Sequence, residues 1–293
     1  MQKIILVAGA TGNLGQKICR ELLKNNAVVK AIVRTGSDSA KVAALTAMGV
    51  EVITVDMHSE QEIAEACKGA ACVVSALAGL HDVIVDTQLT ILNAAVSAGV
   101  PRFIPSDFSS DYTLMPKGEN RNFDLRKEFK ELLDKSAIRA TSILNGCFAD
   151  ILRYNTPLFD VKNKTIAFYD DKADWEIDFT TMDDTAAYTA LAALDDITPR
   201  ILRIASFRVS PNDLANLSER YKGAKFALVD KDTMEGFSAY NKAQRAANPE
   251  GEKELYPRWQ QSQYLYSMFL VNHPGLDNDR YPELQWAAVE DTI

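Results

Sequence analysis

Histidine and cysteine are scarce in this chain, and long apolar runs are missing from it. Only three histidines, His58, His81 and His273, stand among 293 residues. The four cysteines, Cys19, Cys67, Cys72 and Cys147, form no close pairs. That leaves neither the ligand spacing of a zinc site nor a disulfide framework. The thiols read as reduced and mostly buried, which predicts a cytoplasmic protein. No apolar stretch has the length of a membrane span, and Met1 leads into the first apolar run without a basic–apolar–small leader. Positive charge is also short. Against 40 Asp and Glu there are 32 Lys and Arg, a net charge of −8, which argues against a general nucleic-acid binder. The remaining composition, 47% hydrophobic and 25% charged, is that of an ordinary soluble globular protein. A chain of this length can bury roughly three quarters of its unfolded surface.

What the chain does have is a strand–turn–helix pattern at its front. Residues 3–8, Lys-Ile-Ile-Leu-Val-Ala, form a run of strand length. Gly9-Ala10-Thr11-Gly12-Asn13-Leu14-Gly15 follows directly, and Leu14, Ile18 and Leu22 then recur at helical spacing. In that context each glycine has a separate physical reason. The first permits a tight turn, the second a close approach of backbone to a pyrophosphate, and the third close packing of helix on sheet. The start of the helix favours the anion. A second apolar run, residues 27–33, ends at Arg34. An acid there would bind the ribose 2′-hydroxyl of NAD, whereas an arginine suits the 2′-phosphate of NADP. Thr35, Ser37 and Lys41 add donors nearby; Asp38, in the same loop, speaks for the other cofactor.

Strands and helices alternate onward. Strands are expected at residues 50–55, 72–77, 102–105 and 141–144, and helices at 59–67, 83–98 and 122–135. Ser59 and Glu62 make a capping-box pattern, and Gly99 a helix stop. Alternation of this kind predicts an α/β protein with a doubly wound parallel sheet. Ligands in such sheets bind outside the carboxyl ends of the strands. That rule collects residues 9–15, Arg34, Asp56-Met57, residues 75–79 and Ser106-Asp107-Phe108. The positions assigned to the cofactor are Gly9, Thr11, Gly12, Asn13, Leu14, Arg34, Met57, Ala76 and Ser106. His81, just after Gly79-Leu80, is placed to approach the same rim, or is a plain loop residue.

Past residue 153 the texture changes. Tyr154, Pro157, Phe159, Phe168, Tyr169 and Trp175 crowd together. They suit either an aromatic ligand or ordinary core packing. A strand is expected at 176–179, a capped helix at 185–194, a strand at 201–209 and a helix from Ser210 to Tyr221. Residues 231–293 show no clear pattern. The division expected is a nucleotide-binding domain over 1–153 and a smaller substrate-binding region over 154–293 that partly returns to the sheet.

Several of these segments together resemble the NmrA-like, isoflavone-reductase-like branch of atypical short-chain dehydrogenases/reductases. They are residues 7–15, Arg34, Ala98-Gly99-Val100-Pro101-Arg102-Phe103-Ile104-Pro105-Ser106-Asp107-Phe108, Asn145-Gly146-Cys147-Phe148-Ala149, and Ile177-Asp178-Phe179 through Asp183-Asp184. The resemblance runs to about Phe226. It implies a Rossmann domain that binds NADPH, a C-terminal substrate region, and hydride transfer to a small aromatic substrate of phenylpropenoid or quinone type. It also implies a catalytic lysine in the helix before the sixth strand. Counting back from Cys147 gives Arg126; one residue of slip gives Lys127, which is taken as the catalytic residue. Either residue is otherwise a solvated charge. The Tyr-x-x-x-Lys pair common in short-chain dehydrogenases occurs only as Tyr221 and Lys225, broken by Gly223. The family name also carries an alternative, an NADP-binding redox-sensing regulator that works through a protein partner. No metal, membrane or direct nucleic-acid contact is expected, and a homodimer stays open.

Overall fold

The computed structural model describes residues 2–293; Met1 lies outside the described residues. The chain forms two compact units, each assembled from three segments. The first comprises the chain through Asp107, Leu125–Ile143 and Thr185–Leu202; the second comprises Phe108–Asp124, Leu144–Asp184 and Arg203–Ile293. Residue 153 falls inside the segment Leu144–Asp184, and Thr185–Leu202 groups with the first unit.

The first unit is built on a six-stranded sheet. Its strands are β1 (Ile4–Ala8), β2 (Val28–Arg34), β3 (Glu51–Val55), β4 (Ala70–Ser75), β5 (Arg102–Ile104) and β6 (Arg139–Ala140), in the order β3-β2-β1-β4-β5-β6. Every pairing is parallel. Parallel strands covered on both faces need near-continuous apolar runs, and Leu6, Val7, Val73 and Val74 are fully buried accordingly. The helices are α1 (Asn13–Lys24), α2 (Ser39–Met48), α3 (Glu60–Cys67), α4 (Gln88–Ser97), α5 (Arg121–Leu133) and α6 (Met182–Leu194). The opening residues of α5 and α6 belong to segments of the second unit. Leu6, Ile32, Val55, Ile63, Val73, Ile91, Phe103 and Phe129 share one core cluster.

Local chemistry explains the helix starts. The Asp38 carboxylate accepts from the amides of Ala40 and Lys41 and so caps α2. The Ser59 hydroxyl caps α3 from the Glu62 amide, but the Glu62 carboxylate turns to the Asp56 amide instead of closing the expected box.

Three elements differ from expectation. The helix expected at 83–98 opens with a wide π-turn over Asp82–Thr87 before α4 begins. The sixth strand divides at Thr141. Arg139 and Ala140 pair with β5, and then Ser142 turns its amide to the carbonyl of Arg200. This starts β7 (Ser142–Leu144), whose partner is β12 (Ile201–Arg203). The strand expected at 201–209 likewise breaks into β12 and β13 (Phe207–Val209) around Ser206, whose hydroxyl is held by the Asp184 carboxylate.

The second unit holds two small sheets. In one, β11 (Ile177–Thr180) lies between β8 (Cys147–Phe148) and β13; in the other, β10 (Thr165–Phe168) lies between β9 (Phe159–Asp160) and β14 (Ala227–Asp230). Helix α7 (Pro211–Lys222) starts at the Ser210–Asp213 capping box. Residues 231–293, unpatterned in sequence, contain α8 (Met234–Ala247) and α9 (Arg258–Leu270). No helix among the described residues is long and apolar enough to cross a membrane.

Candidate active site

The first unit gathers the carboxyl ends of β1, β2, β4 and β5 at one rim, with the reversal of strand order between β1 and β4. That reversal is where open α/β sheets bind ligands. The turn after β1 works as its sequence predicts. Gly9 has φ +82°, and a Cβ there would stand 2.5 Å from the Ala76 carbonyl oxygen. Glycine thus brings the end of β1 against the end of β4, where the Ala76 amide donates to Ala8 O at 2.8 Å. A Cβ on Gly15 would collide with the Gly9 carbonyl, so this glycine packs α1 onto the turn. Gly12 differs from both. Its φ of −78° suits any residue, and a Cβ there would meet only Gly9 O, at 3.2 Å. The space in front of Gly12 is open. Gly12 is also the N-cap of α1, with no side-chain cap and no acid in the first turn. Helix starts of this kind receive anions. Thr11 and Leu14 are half-buried on this turn, and Asn13 is exposed.

At the end of β2, Arg34 is exposed. Its carbonyl accepts from both the amide and the hydroxyl of Ser37, which fixes the following turn. The nearby acid that argued for NAD, Asp38, is committed to capping α2. At the end of β3, the Met57 side chain packs against the apolar core. Ser106, after β5, is 4% exposed and wholly engaged: its amide donates to Gln88 Oε1 at 2.9 Å and its hydroxyl to Leu77 O at 2.6 Å. Its part in the rim is therefore to fasten the loop after β4 to the end of β5. Asp107 beside it accepts from the Ser142 hydroxyl at 2.5 Å.

Arg126 and Lys127 are both half-buried on α5. Glu128, the next residue, reaches His81 in the loop after β4, with 3.0 Å between Oε1 and Nε2. Phe129 is buried 6.3 Å from Phe103 of β5. This stretch of α5 is thus tied to the β4 and β5 side of the rim. The rim residues fit a dinucleotide: an open glycine face over a helix start and an exposed cation where an acid would exclude a 2′-phosphate.

Other sequence readings resolve differently. Tyr169 belongs to an aromatic cluster of the second unit, stacked 4.1 Å from Phe237 and edge-on to Phe269 at 5.3 Å; burial pushes its phenol up to about 12. Phe159 stacks on Phe226, and the Trp175 indole donates to Met268 O. Phe159 and Tyr169 thus pack on later aromatics of the second unit, whereas Tyr154 is exposed. Tyr221 donates to Glu290 at the end of α7, while Lys225 lies beyond that helix, so the two make no catalytic pair. The four cysteines are free, and burial pushes the Cys19, Cys72 and Cys147 thiols up to about 12. Among the described residues no cluster of His, Cys, Asp and Glu could hold a metal.

Sequence reasoning missed a charged cluster in the second unit. Asp178 pairs with Arg208 at 2.6 Å and Asp111 with Arg203 at 2.7 Å. His273 is buried beside them, its amide donating to Asp178 and its carbonyl accepting from Arg208. Burial lowers the pKa of its imidazole, against the pull of the two carboxylates. No periodicity signals such a cluster, because its members come from four separate stretches of chain.

The sheet order and the glycine turn define a dinucleotide-binding protein of the doubly wound class. More narrowly, the chain belongs to the NmrA-like family, whose model matches residues 1–242. It is 31% identical over 225 residues to pinoresinol reductase 2 of Arabidopsis thaliana, covering 71% of this chain and 69% of that protein. Among solved structures it is similar to AtPrR2 with NADP+ and (+)pinoresinol, at TM-score 0.82 and 23% identity over 99% of this chain and 97% of that one. It is also similar to the NADPH-dependent quinone oxidoreductase QOR2 of Escherichia coli complexed with NADPH, at TM-score 0.72 and 20% identity, covering 98% and 97%.

Proposed function

We propose that this protein is an NADPH-dependent reductase of a small aromatic substrate, phenylpropenoid- or quinone-like. The observation that carries the reading is the rim of the first unit. It combines an open Gly12 face, Arg34 at the end of β2, and the diversion of Asp38 into a helix cap. The named activities of the relatives, pinoresinol reductase and quinone oxidoreductase, supply the substrate class.

The turn at residues 9–15 would hold the pyrophosphate and Arg34 the 2′-phosphate, with Met57 and Ala76 along the same edge. The nicotinamide, when bound, supplies a hydride. The protein's own part is then to exclude water, orient the acceptor and meet the negative charge that develops on its oxygen. Lys127 is the residue proposed for that, donating a proton or stabilising the oxyanion. Arg126 stays charged and is suited only to clamping an anion. The substrate region is proposed for the second unit. The acidic net charge and the protected thiols support a cytoplasmic enzyme without nucleic-acid contact; a homodimer is part of the same proposal.

The test is steady NADPH consumption with quinones and phenylpropenoids. Lys127→Ala should lower kcat about 10²–10⁴-fold while leaving the NADPH dissociation constant nearly unchanged, because an acid acts in the transition state. Lys127→Met keeps the apolar stem and should match it. The same assay on Arg126→Ala decides which residue holds the catalytic position. If wild type binds NADPH tightly and reduces none of these acceptors, the regulator reading replaces this one.

A further inference from the structure

His81 stands where the loop after β4 meets the π-turn at Asp82–Thr87. Both of its ring nitrogens face carboxylates: Nε2 is 3.0 Å from Glu128 Oε1, and Nδ1 is 3.3 Å from Asp86 Oδ2. Ionised carboxylates only accept. A neutral imidazole has one N–H and one lone pair, so it can satisfy one of these neighbours while its lone pair opposes the other. The arrangement is satisfied only by the imidazolium, which donates from both nitrogens.

The position of this ion triad matters more than its strength. The loop after β4 is fastened on its inner side: the Ser106 hydroxyl holds Leu77 O, and Gln88 holds the Ser106 amide. Within the π-turn, Thr87 Oγ1 donates to Asp82 O, and Gly79 leaves no room for a side chain beside Val83. On the outer side, His81 and Glu128 link the loop to α5, one residue beyond Lys127. Ala76, which begins this loop, is the residue against which Gly9 packs. A shift of the loop therefore reaches the glycine turn directly.

We propose that His81, as an imidazolium held between Asp86 and Glu128, is a positioning residue that keeps the loop after β4 in its cofactor-binding form, so that NADPH affinity falls as this ring loses its proton. This inference rests on the reading of the rim as an NADPH site. The two acids facing the ring raise its pKa above the ordinary value, with the Glu128 hydrogen bond the largest cause. The sign follows. With the folded pKa above the unfolded value of about 6.5, the link is intact below that value and is lost as pH rises through the folded pKa.

NADPH titrations between pH 7 and 9.5 test this, in a range where the 2′-phosphate is about nine-tenths ionised or more, its second pKa being about 6 as for other phosphate monoesters. Wild-type affinity should fall about twofold to fivefold across the range, as expected for exposed ion pairs. His81→Gln should bind at the weaker level throughout, without that fall. His81→Arg, which cannot lose its charge, should hold the stronger level to higher pH. Glu128→Gln should move the fall to lower pH. Ring resonances of the three histidines, assigned with His81→Gln, read the link without cofactor or substrate: His81 should titrate above 6.5 in wild type and lower in Glu128→Gln. A His81 ring that titrates at or below 6.5 overturns the proposal, and so does an equal pH dependence of NADPH affinity in wild type and His81→Gln. Either result with normal turnover leaves the reductase reading standing. The expected titrations with no reduction of any acceptor remove that reading alone.

Discussion

Arg34 is one exposed side chain at a strand end, and the cofactor preference rests on it. A guanidinium–phosphate contact is charge-assisted and often bidentate, worth about 1.5–3 kcal/mol. Because Arg34 is exposed, water competes for both partners, and the lower end of that range applies. Arg34→Ala should weaken NADPH binding about tenfold and leave NADH binding unchanged. Paired titrations with the two cofactors check this; equal affinity of wild type for both would remove the basis of the preference. The neighbouring residue that complicated the choice, Asp38, shows how a side chain can be misread when its backbone context is unknown. Its carboxylate answers two amides of α2, and only the geometry of the helix start reveals that.

At the scale of elements, the strand–turn–helix at the front was legible because each of its glycines meets a separate physical demand. Gly12→Val should abolish NADPH binding while the protein stays folded, since its backbone angles suit valine and only Gly9 O stands close. Gly9→Val and Gly15→Val should instead destabilise the fold, because their side chains would enter the Ala76 carbonyl and the turn backbone. Cofactor titration beside thermal melts separates the two outcomes, and a folded Gly12→Val that retains affinity would overturn the placement. The parallel strands were legible for a similar reason: apolar runs of strand length leave few alternatives. The π-turn before α4 was not, since an extra residue in one helical turn leaves composition untouched. Helix α9 was hidden by chemistry. Gln260, Gln263 and Ser267 are buried on it beside Trp259, Leu265, Met268 and Phe269 and bond Asn120 and the Arg121 amide, so polar residues interrupt its buried side in the sequence. At the site, the glycine turn and Arg34 could be read directly, whereas the partners of His81 and Ser106 could not, because they lie on other elements.

For the whole molecule, the six interleaved segments mean that the chain passes between the two units five times. The texture change near residue 153 falls inside the segment Leu144–Asp184, and the first unit draws on chain beyond it. Arg102, 3% exposed on β5, shows why: its guanidinium donates to the carbonyls of Ala192 and Ala193 and to the Thr198 hydroxyl. A fragment ending at residue 153 lacks those acceptors and the Thr185–Leu202 segment that completes the first unit. That fragment should therefore show no cooperative thermal transition by circular dichroism, whereas the full chain should. A sharp melt of the fragment would restore the simpler division. The same interleaving sets an order of events in the cell. Every residue proposed for the cofactor has been synthesised once Lys127 is made, yet the unit that carries them is complete only at Leu202. At ribosomal speeds of about 5–20 residues per second, the intervening 75 residues take roughly 4–15 s. For that interval the nascent chain carries apolar strands of β1 to β5 that the Thr185–Leu202 segment does not yet cover, and it is then that chaperones have their reason to engage it.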